Sequence, residues 1–277
     1  MSTDPRAVLR DAGLRPKKSF GQNFLVAPGI AEQIAIACVP DPEVGRATVV
    51  EIGAGTGALT ALLAARSKHV VAIERDRDLA PILRARFADT NVEIREDDAQ
   101  TMDYAGLLDG TAPPRVLCGN LPYQLTGRLL SLATEHAGRI ERAVFMVQAE
   151  VADRVLAEPR TKDYGALTIF VRAAFVPARA LRVHAGAFYP PPNVDSAVVV
   201  LVPRSDRIVE SDAFRAVVKG AFAQRRKQLR NAWRAVAPMP VLEAAAAAAG
   251  VTLDARGEEL GTEQFARAAE VVASAGR

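Results

Sequence analysis

Short β-branched apolar runs alternate with alanine- and leucine-rich stretches of helical length through the first 175 residues. The runs at 48–52, 70–74, 92–95, 116–118 and 143–147 read as strands, and the stretches at 58–66 and 79–88 between the early ones read as helices. That alternation predicts βαβ units and a largely parallel sheet. Two further runs, 168–175 and 197–202, lack a convincing helix between them and predict an antiparallel hairpin closing one edge. After Val202 the period changes. Pro203–Asp206 is a breaker, and 212–234, 241–249 and 262–275 read as helices, with Ser211–Asp212 as a cap and Pro238 and Pro240 in a linker. The expected organisation is an α/β domain over 1–204 followed by a small all-helical domain over 205–277.

Composition narrows the class. With 277 residues, 49% of them hydrophobic and 24% charged, the chain is not a disordered polymer. Its first residues are charged rather than a secretory signal, and no run approaches the ~18 apolar residues a membrane span needs. Cys38 and Cys118 allow one disulfide at most and read as buried thiols of a reducing cytoplasm, the expected location. The three histidines are scattered; neither zinc spacing nor a Ser-His-Asp arrangement is visible, so no metal is expected. Net charge is only +3, but 215–234 carries Arg215, Lys219, Arg225, Arg226, Lys227, Arg230 and Arg234 with no acid among them. On one continuous helix Arg215, Lys219, Arg226, Arg230 and Arg234 would share an arc opposite Phe214, Val217, Val218, Ala221, Phe222 and Leu229. Such a helix packs one face and offers cations to a polyanion on the other.

Candidate chemistry begins at Glu51-Ile52-Gly53-Ala54-Gly55-Thr56-Gly57, where the first strand turns into the first helix. Glycines there let a ligand approach the main chain. The spacing is G-x-G-x-G rather than the G-x-G-x-x-G of dinucleotide folds, and no Lys–Ser/Thr pair follows to grip a phosphate. Glu74 ends the next strand, where an acid accepts from ribose hydroxyls, and Asp98 follows the third, where a carboxylate accepts from a purine amine. Any one acid reads as a solvated strand end; three features on one rim read as an adenosine site. Glu51 would repel a pyrophosphate yet tolerate a sulfonium and an amino group, which favours S-adenosylmethionine over a nicotinamide cofactor.

Gly119-Asn120-Leu121-Pro122-Tyr123 follows the fourth strand and faces the same rim. An exocyclic adenine amine is a poor nucleophile because its lone pair is delocalised into the ring. The Asn120 side-chain oxygen and the carbonyl of Leu121 or Pro122 suit the task of accepting from it, Pro122 stiffens the turn, and Tyr123 offers a face for an extruded base.

This segment resembles motif IV of amino-directed methyltransferases. Together with Phe20–Leu25, Tyr189–Ala197 and Gln224–Asn231, it is similar to the small-subunit ribosomal RNA adenine dimethyltransferase family, KsgA/RsmA, from about Lys17 through the helical domain. The resemblance implies a Rossmann-like class I methyltransferase sheet and dimethylation of N6 on two adjacent adenines in the hairpin near the 3′ end of 16S RNA. It implies a pre-30S particle as substrate and a monomeric enzyme. Asn23, Leu25, Gly53, Glu74, Asp98 and Asn120 are the positions it implies at the cofactor, with Glu51 and Gly55 beside them from the loop reading; Asn120 belongs with Tyr123 to the catalytic loop. Gln124-Leu125-Thr126 departs from the family's usual Asn-Ile-Ser/Thr, and Gly57 is less fixed than Gly53.

The flanks complete the reading. Residues 17–25 are expected to lie as a lid over the cofactor, with Lys17 and Lys18, like Arg225, Arg226, Lys227 and Arg230, at RNA phosphates. Phe188, held by the prolines 190–192, is expected to sandwich the base with Tyr123. Two rivals share these features: a 23S adenine methyltransferase of the antibiotic-resistance type, and an RNA-binding assembly factor with incidental catalysis. Phe20-Gly21-Gln22 and the 224–231 motif favour the small-subunit enzyme, and the four polar residues Glu51, Glu74, Asp98 and Asn120 argue against a dead one.

Overall fold

The computed structural model describes residues 3–224 and 226–276. Nine strands form in chain order: β1 Phe24–Leu25, β2 Thr48–Ile52, β3 His69–Ile73, β4 Val92–Arg95, β5 Arg115–Asn120, β6 Arg142–Gln148, β7 Phe175–Val183, β8 Phe188–Tyr189 and β9 Ser196–Pro203. Seven make one sheet in the order β4-β3-β2-β5-β6-β9-β7, and β1 pairs with β8 in a separate two-stranded ribbon. The pairs among β2 to β6 are parallel, whereas β9 runs antiparallel to β6. Every residue of β2 is buried, as are Val70–Ile73 of β3. Strands covered by helices on both faces read as unbroken apolar runs.

The chain forms two compact units. One takes the residues up to Ala152 and returns for Ala178–Pro203; the other takes Asp153–Pro177 and the chain from Arg204 onward. The expected boundary near 204 is therefore one of three crossings. The run at 168–175 explains the others, because it is a helix, Ala166–Ala174, and not a strand. Thr168 Oγ1 accepts from the Gly165 amide at the helix start and donates to the Arg154 carbonyl at 2.6 Å, while Ile169, Val171, Ala173 and Ala174 are buried. A short apolar run buried on most sides has no period by which to tell helix from strand. The strand beside β9 is instead the next segment, β7, whose alternating burial marks an edge.

In the second unit the core gathers Phe214, Val218, Trp233, Leu242, Leu260 and Phe265. The indole N–H of the fully buried Trp233 donates to the Val217 carbonyl at 2.8 Å. The single basic helix expected over 212–234 does not form. The helix Asp212–Ala223 stops at Gln224, Arg226 takes a left-handed φ of 73°, and Gln228 bridges to Arg256 before a short turn, Leu229–Ala232. The Leu229 and Arg230 amides donate to Ala255 and Leu253, long-range bonds that a continuous helix would forfeit. The common cationic arc is therefore lost.

In the first unit, parallel pairing sets Ile52 opposite Gly119. A Cβ at position 119 would run into the Ile52 carbonyl, so β2 and β5 can meet there only around a glycine. Gly119→Ala is expected to lower unfolding free energy by about 1–3 kcal/mol in urea titrations. Gly127→Ala, in a helix and with open space around it, should gain about 0.5–1 kcal/mol instead.

Candidate functional site

Strand order reverses beside β2, whose neighbours are β3 and β5, and open α/β sheets bind ligands at the carboxyl ends of such strands. A cavity lies there, lined by Phe20–Leu25, Glu51–Thr56, Glu74, Asp98 and Gly119–Tyr123 among others. Its floor is the glycine turn. Gly53, Gly55 and Gly57 all take positive φ, at 75°, 59° and 81°. Gly55 also lies against the Phe24 ring, and a Cβ at Gly57 would strike Phe87 and Leu83, so the third glycine is as constrained as the first.

Two buried carboxylates face this turn. Glu74 is 7% exposed and accepts from the Gly55 amide at 2.7 Å and the Asp76 amide at 2.8 Å, pinning the loop to the end of β3. Burial nevertheless holds its pKa above the ordinary range. Glu51, 2% exposed, accepts from Thr60 Oγ1 at 2.6 Å. Burial pushes its pKa up to about 7, the Thr60 hydrogen bond pulls against that, and the neighbouring charge of Glu74 adds to it. Asp98 sits at the rim, accepting from the Gln100 amide at 2.9 Å with Arg75 Nη1 3.4 Å from its other oxygen. An apolar cleft with three carboxylates suits a cationic ligand rich in hydroxyl and amino groups.

The wall over this floor is the N-terminal segment. Leu25 and Phe24 pair with Phe188 and Tyr189 in the ribbon, and Leu9, Phe24 and Leu79 form a small apolar cluster beneath. Asn23 contributes its carbonyl: Asn120 Nδ2 donates to it at 2.9 Å. An amide that spends its nitrogen on the Asn23 carbonyl presents its oxygen elsewhere. In the same turn the Pro122 carbonyl accepts from the Leu125 amide at 2.9 Å and the Thr126 hydroxyl at 3.2 Å, which leaves Leu121 as the main-chain acceptor of the two expected. The Leu121 amide itself is tied to the Met146 carbonyl at 3.0 Å. Tyr123 lines the cavity with its hydroxyl 3.2 Å from Ser196 Oγ at the start of β9. Burial raises the Tyr123 pKa, the Ser196 contact opposing it, so the phenol stays neutral.

Several expectations are corrected here. Phe188 is 3% exposed, belongs to the main core and does not line the cavity; pairing with Leu25 turns it inward. Lys17 is engaged by Asp76 and Asp78 and is not a free cation, whereas Lys18 is exposed. Arg226, Lys227 and Arg230 are exposed in the second unit, Arg230 lying 3.9 Å from Asp254; Arg225 lies outside the described residues. Cys38 and Cys118, distant in sequence, are free thiols buried in one core, and the Cys38 side chain together with burial pushes the Cys118 thiol up. The sequence gives no sign of the roles of Thr60, Arg75 and Asp76, and it marks Gln22 and Ser196 only as members of motifs; Asp76 meets Gln22, and Ser196 meets Tyr123, across more than fifty positions. Among the described residues no metal-binding group of three or more His, Cys, Asp or Glu is present, and no helix is long and apolar enough to cross a membrane.

Comparison with known proteins agrees with this geometry. The ribosomal RNA adenine dimethylase family matches residues 13–274. The chain belongs to that family. Curated relatives include the ribosomal RNA small subunit methyltransferase A of Moorella thermoacetica, 44% identical over 94% of this chain and 93% of that one. That of Anaeromyxobacter sp. (strain K) is 42% identical over 95% of each. Among solved structures, a dimethyladenosine transferase from Plasmodium falciparum superposes with a TM-score of 0.73 at 25% identity, covering 88% of this chain and 95% of that one. The 23S rRNA methyltransferase ErmE does so at 0.66 and 29%, covering 91% and 100%. For this adenine dimethylase the sheet is thus a class I methyltransferase sheet, and the enzyme is a methyltransferase acting on ribosomal RNA.

The state of Glu51 can be tested without substrate. An unfolded glutamate ionises near 4.5, the folded one near 7. Between those values the folded dimethylase keeps a proton that the unfolded chain has lost, so stability falls as pH rises through the window and levels above it. The whole contribution is about 3 kcal/mol. Urea titrations of Glu51→Gln and wild type should nearly agree at about pH 4.5, with the variant ahead by about 2–3 kcal/mol at about pH 8. Parallel pH profiles would contradict a buried, protonated carboxyl.

Proposed function

We propose that the protein transfers methyl groups from S-adenosylmethionine to N6 of two adjacent adenines in the 3′-terminal hairpin of 16S ribosomal RNA, acting on a pre-30S particle. The observation that carries the proposal is the Asn120–Asn23 hydrogen bond, which leaves the Asn120 oxygen for a substrate donor at the mouth of an acid-lined cleft. The relatives named as small-subunit enzymes at 42–44% identity support the choice of RNA.

The cleft fits the cofactor by its own chemistry. Gly53 and Gly55 form a cradle that a side chain would fill, Glu74 would hold the ribose hydroxyls, Asp98 the adenine amine, and Asn23 and Leu25 the lid side. Buried Glu51 and Glu74 would balance the cation. S-adenosylmethionine, when bound, supplies a methyl carbon on a positively charged sulfur. The chain's residues do the rest. Tyr123 stacks the flipped adenine, a contact worth about 1–3 kcal/mol. Asn120 Oδ1 and the Leu121 carbonyl accept from the N6 amine, hold its lone pair toward the cleft, and favour the positive charge that develops as it attacks. The methylated amine then sheds its proton to solvent, so no strong general base is required. Lys18, Arg226, Lys227 and Arg230 would meet phosphates and set register without reading bases.

The likeness to ErmE makes 23S RNA the competing substrate. Labelled methyl transfer to undermethylated 30S particles, 50S particles and free RNA, with nucleosides identified by mass, separates them. The expected product is dimethyladenosine from 30S particles; label confined to 50S particles would overturn the assignment. Asn120→Ala should lower single-turnover transfer by about 10²–10³-fold while cofactor binding changes far less.

A further inference from the structure

Lys17, Gln22 and Asp76 form a bonded unit between the lid and the end of β3. Lys17 Nζ lies 2.5 Å from Asp76 Oδ1 and 2.7 Å from Asp78 Oδ2. Gln22 donates Nε2 to Asp76 Oδ2 at 2.7 Å and accepts the Lys17 amide on its oxygen at 2.8 Å. One carboxylate, 2% exposed, thus takes a lid residue on each of its oxygens. Burial alone would raise the pKa of Asp76, but the bonds from Lys17, the Asp78 amide and Gln22 outweigh it, and the group is held ionised below the ordinary range.

Between the two anchors the chain makes a tight turn, Lys18–Phe20, that projects the Phe20 ring into the cavity wall. Arg75 lies over that ring at 4.7 Å and Lys17 at 5.4 Å, and Arg75 continues to Asp98. The polar anchors and the aromatic contact both attach the lid to the segment just after Glu74. On its far side the lid is held by Asn120 and by the ribbon with Tyr189 and Phe188. A ligand cannot leave through this wall unless the anchors part. Parting them strands a buried carboxylate, which is costly until water replaces both partners.

We infer that Asp76 is a positioning residue which, through Lys17 and Gln22, latches residues 17–25 over the cofactor and sets how fast spent cofactor leaves. The inference rests on the cleft being the S-adenosylmethionine site. It assigns Lys17 to cofactor retention and not to RNA.

The test is a chase measurement of S-adenosylhomocysteine dissociation from the full-length protein, with single-turnover methylation alongside. Lys17→Met and Asp76→Asn should each speed dissociation by about tenfold, the loss expected from one charge-assisted bond. They should raise the cofactor KM in proportion and leave the single-turnover rate at saturating cofactor within about twofold. The double variant should release no faster than Asp76→Asn alone, and Lys17→Arg should restore slow release. Should Asp76→Asn fail to fold, Lys17→Met with Lys17→Arg as its control makes the same test from the other end of the ion pair. Unchanged dissociation with a lowered Tm would reduce the unit to a structural brace and overturn the inference. A raised RNA KM with unchanged dissociation would overturn it in favour of a phosphate contact. Wild-type protein that bound no S-adenosylhomocysteine would overturn the cofactor reading as well; normal binding with unaltered release would overturn the latch alone.

Discussion

The Asn120–Asn23 hydrogen bond orders the rest of the site. An asparagine amide offers its acceptor in one direction only when its donor is committed in another. Here the donor goes to the Asn23 carbonyl, so the orientation of the Asn120 amide depends on the N-terminal segment staying in place. Register then fixes where that geometry falls: Ile52 beside Gly119 brings the glycine turn and Asn120 to adjacent strand ends. The small ribbon of Phe24–Leu25 with Phe188–Tyr189 joins the lid to the loop between β7 and β9, and Ser196 beyond that loop fixes Tyr123.

Electrostatics follows from burial. Glu51 and Glu74 lie under the glycine turn with few donors each, and both titrate above their ordinary range. Carboxylates so placed destabilise the empty fold at neutral pH, a cost proteins carry at functional sites. A cation entering the cleft would relieve it. Asp76, two residues beyond Glu74, shows the opposite case, because Lys17 and Gln22 supply what its burial removes.

Much of the architecture was legible because its signals are local. β2 and β4 and the helices Ala58–Arg66 and Thr262–Ala275 lie where the apolar pattern predicts them, since a parallel strand or an amphipathic helix writes its period into consecutive residues. The glycine turn, Glu74, Asp98 and the Asn120 loop could be read from their places at strand ends. Failures came where a segment's state depends on distant partners. The run at 168–175 is apolar enough for either state and becomes helical through its cap and Arg154. The basic stretch after Ala223 leaves the helix because Leu229 and Arg230 bond to the 253–255 segment. Lys17 resembled an RNA contact because its acid partners lie about sixty positions away, and Phe188 looked accessible until its pairing with Leu25 turned it into the core.

The central claim is that the Asn120 oxygen faces the transferable group of a cofactor held beneath the lid. A crystal structure with sinefungin, which carries an amine where S-adenosylmethionine carries its methyl, tests this most directly. The amine should lie within hydrogen-bonding reach of Asn120 Oδ1, with Glu74 on the ribose and the Asn120 nitrogen still on the Asn23 carbonyl. Sinefungin bound elsewhere, or bound with the Asn120 amide reversed and its nitrogen toward the ligand, would contradict the account.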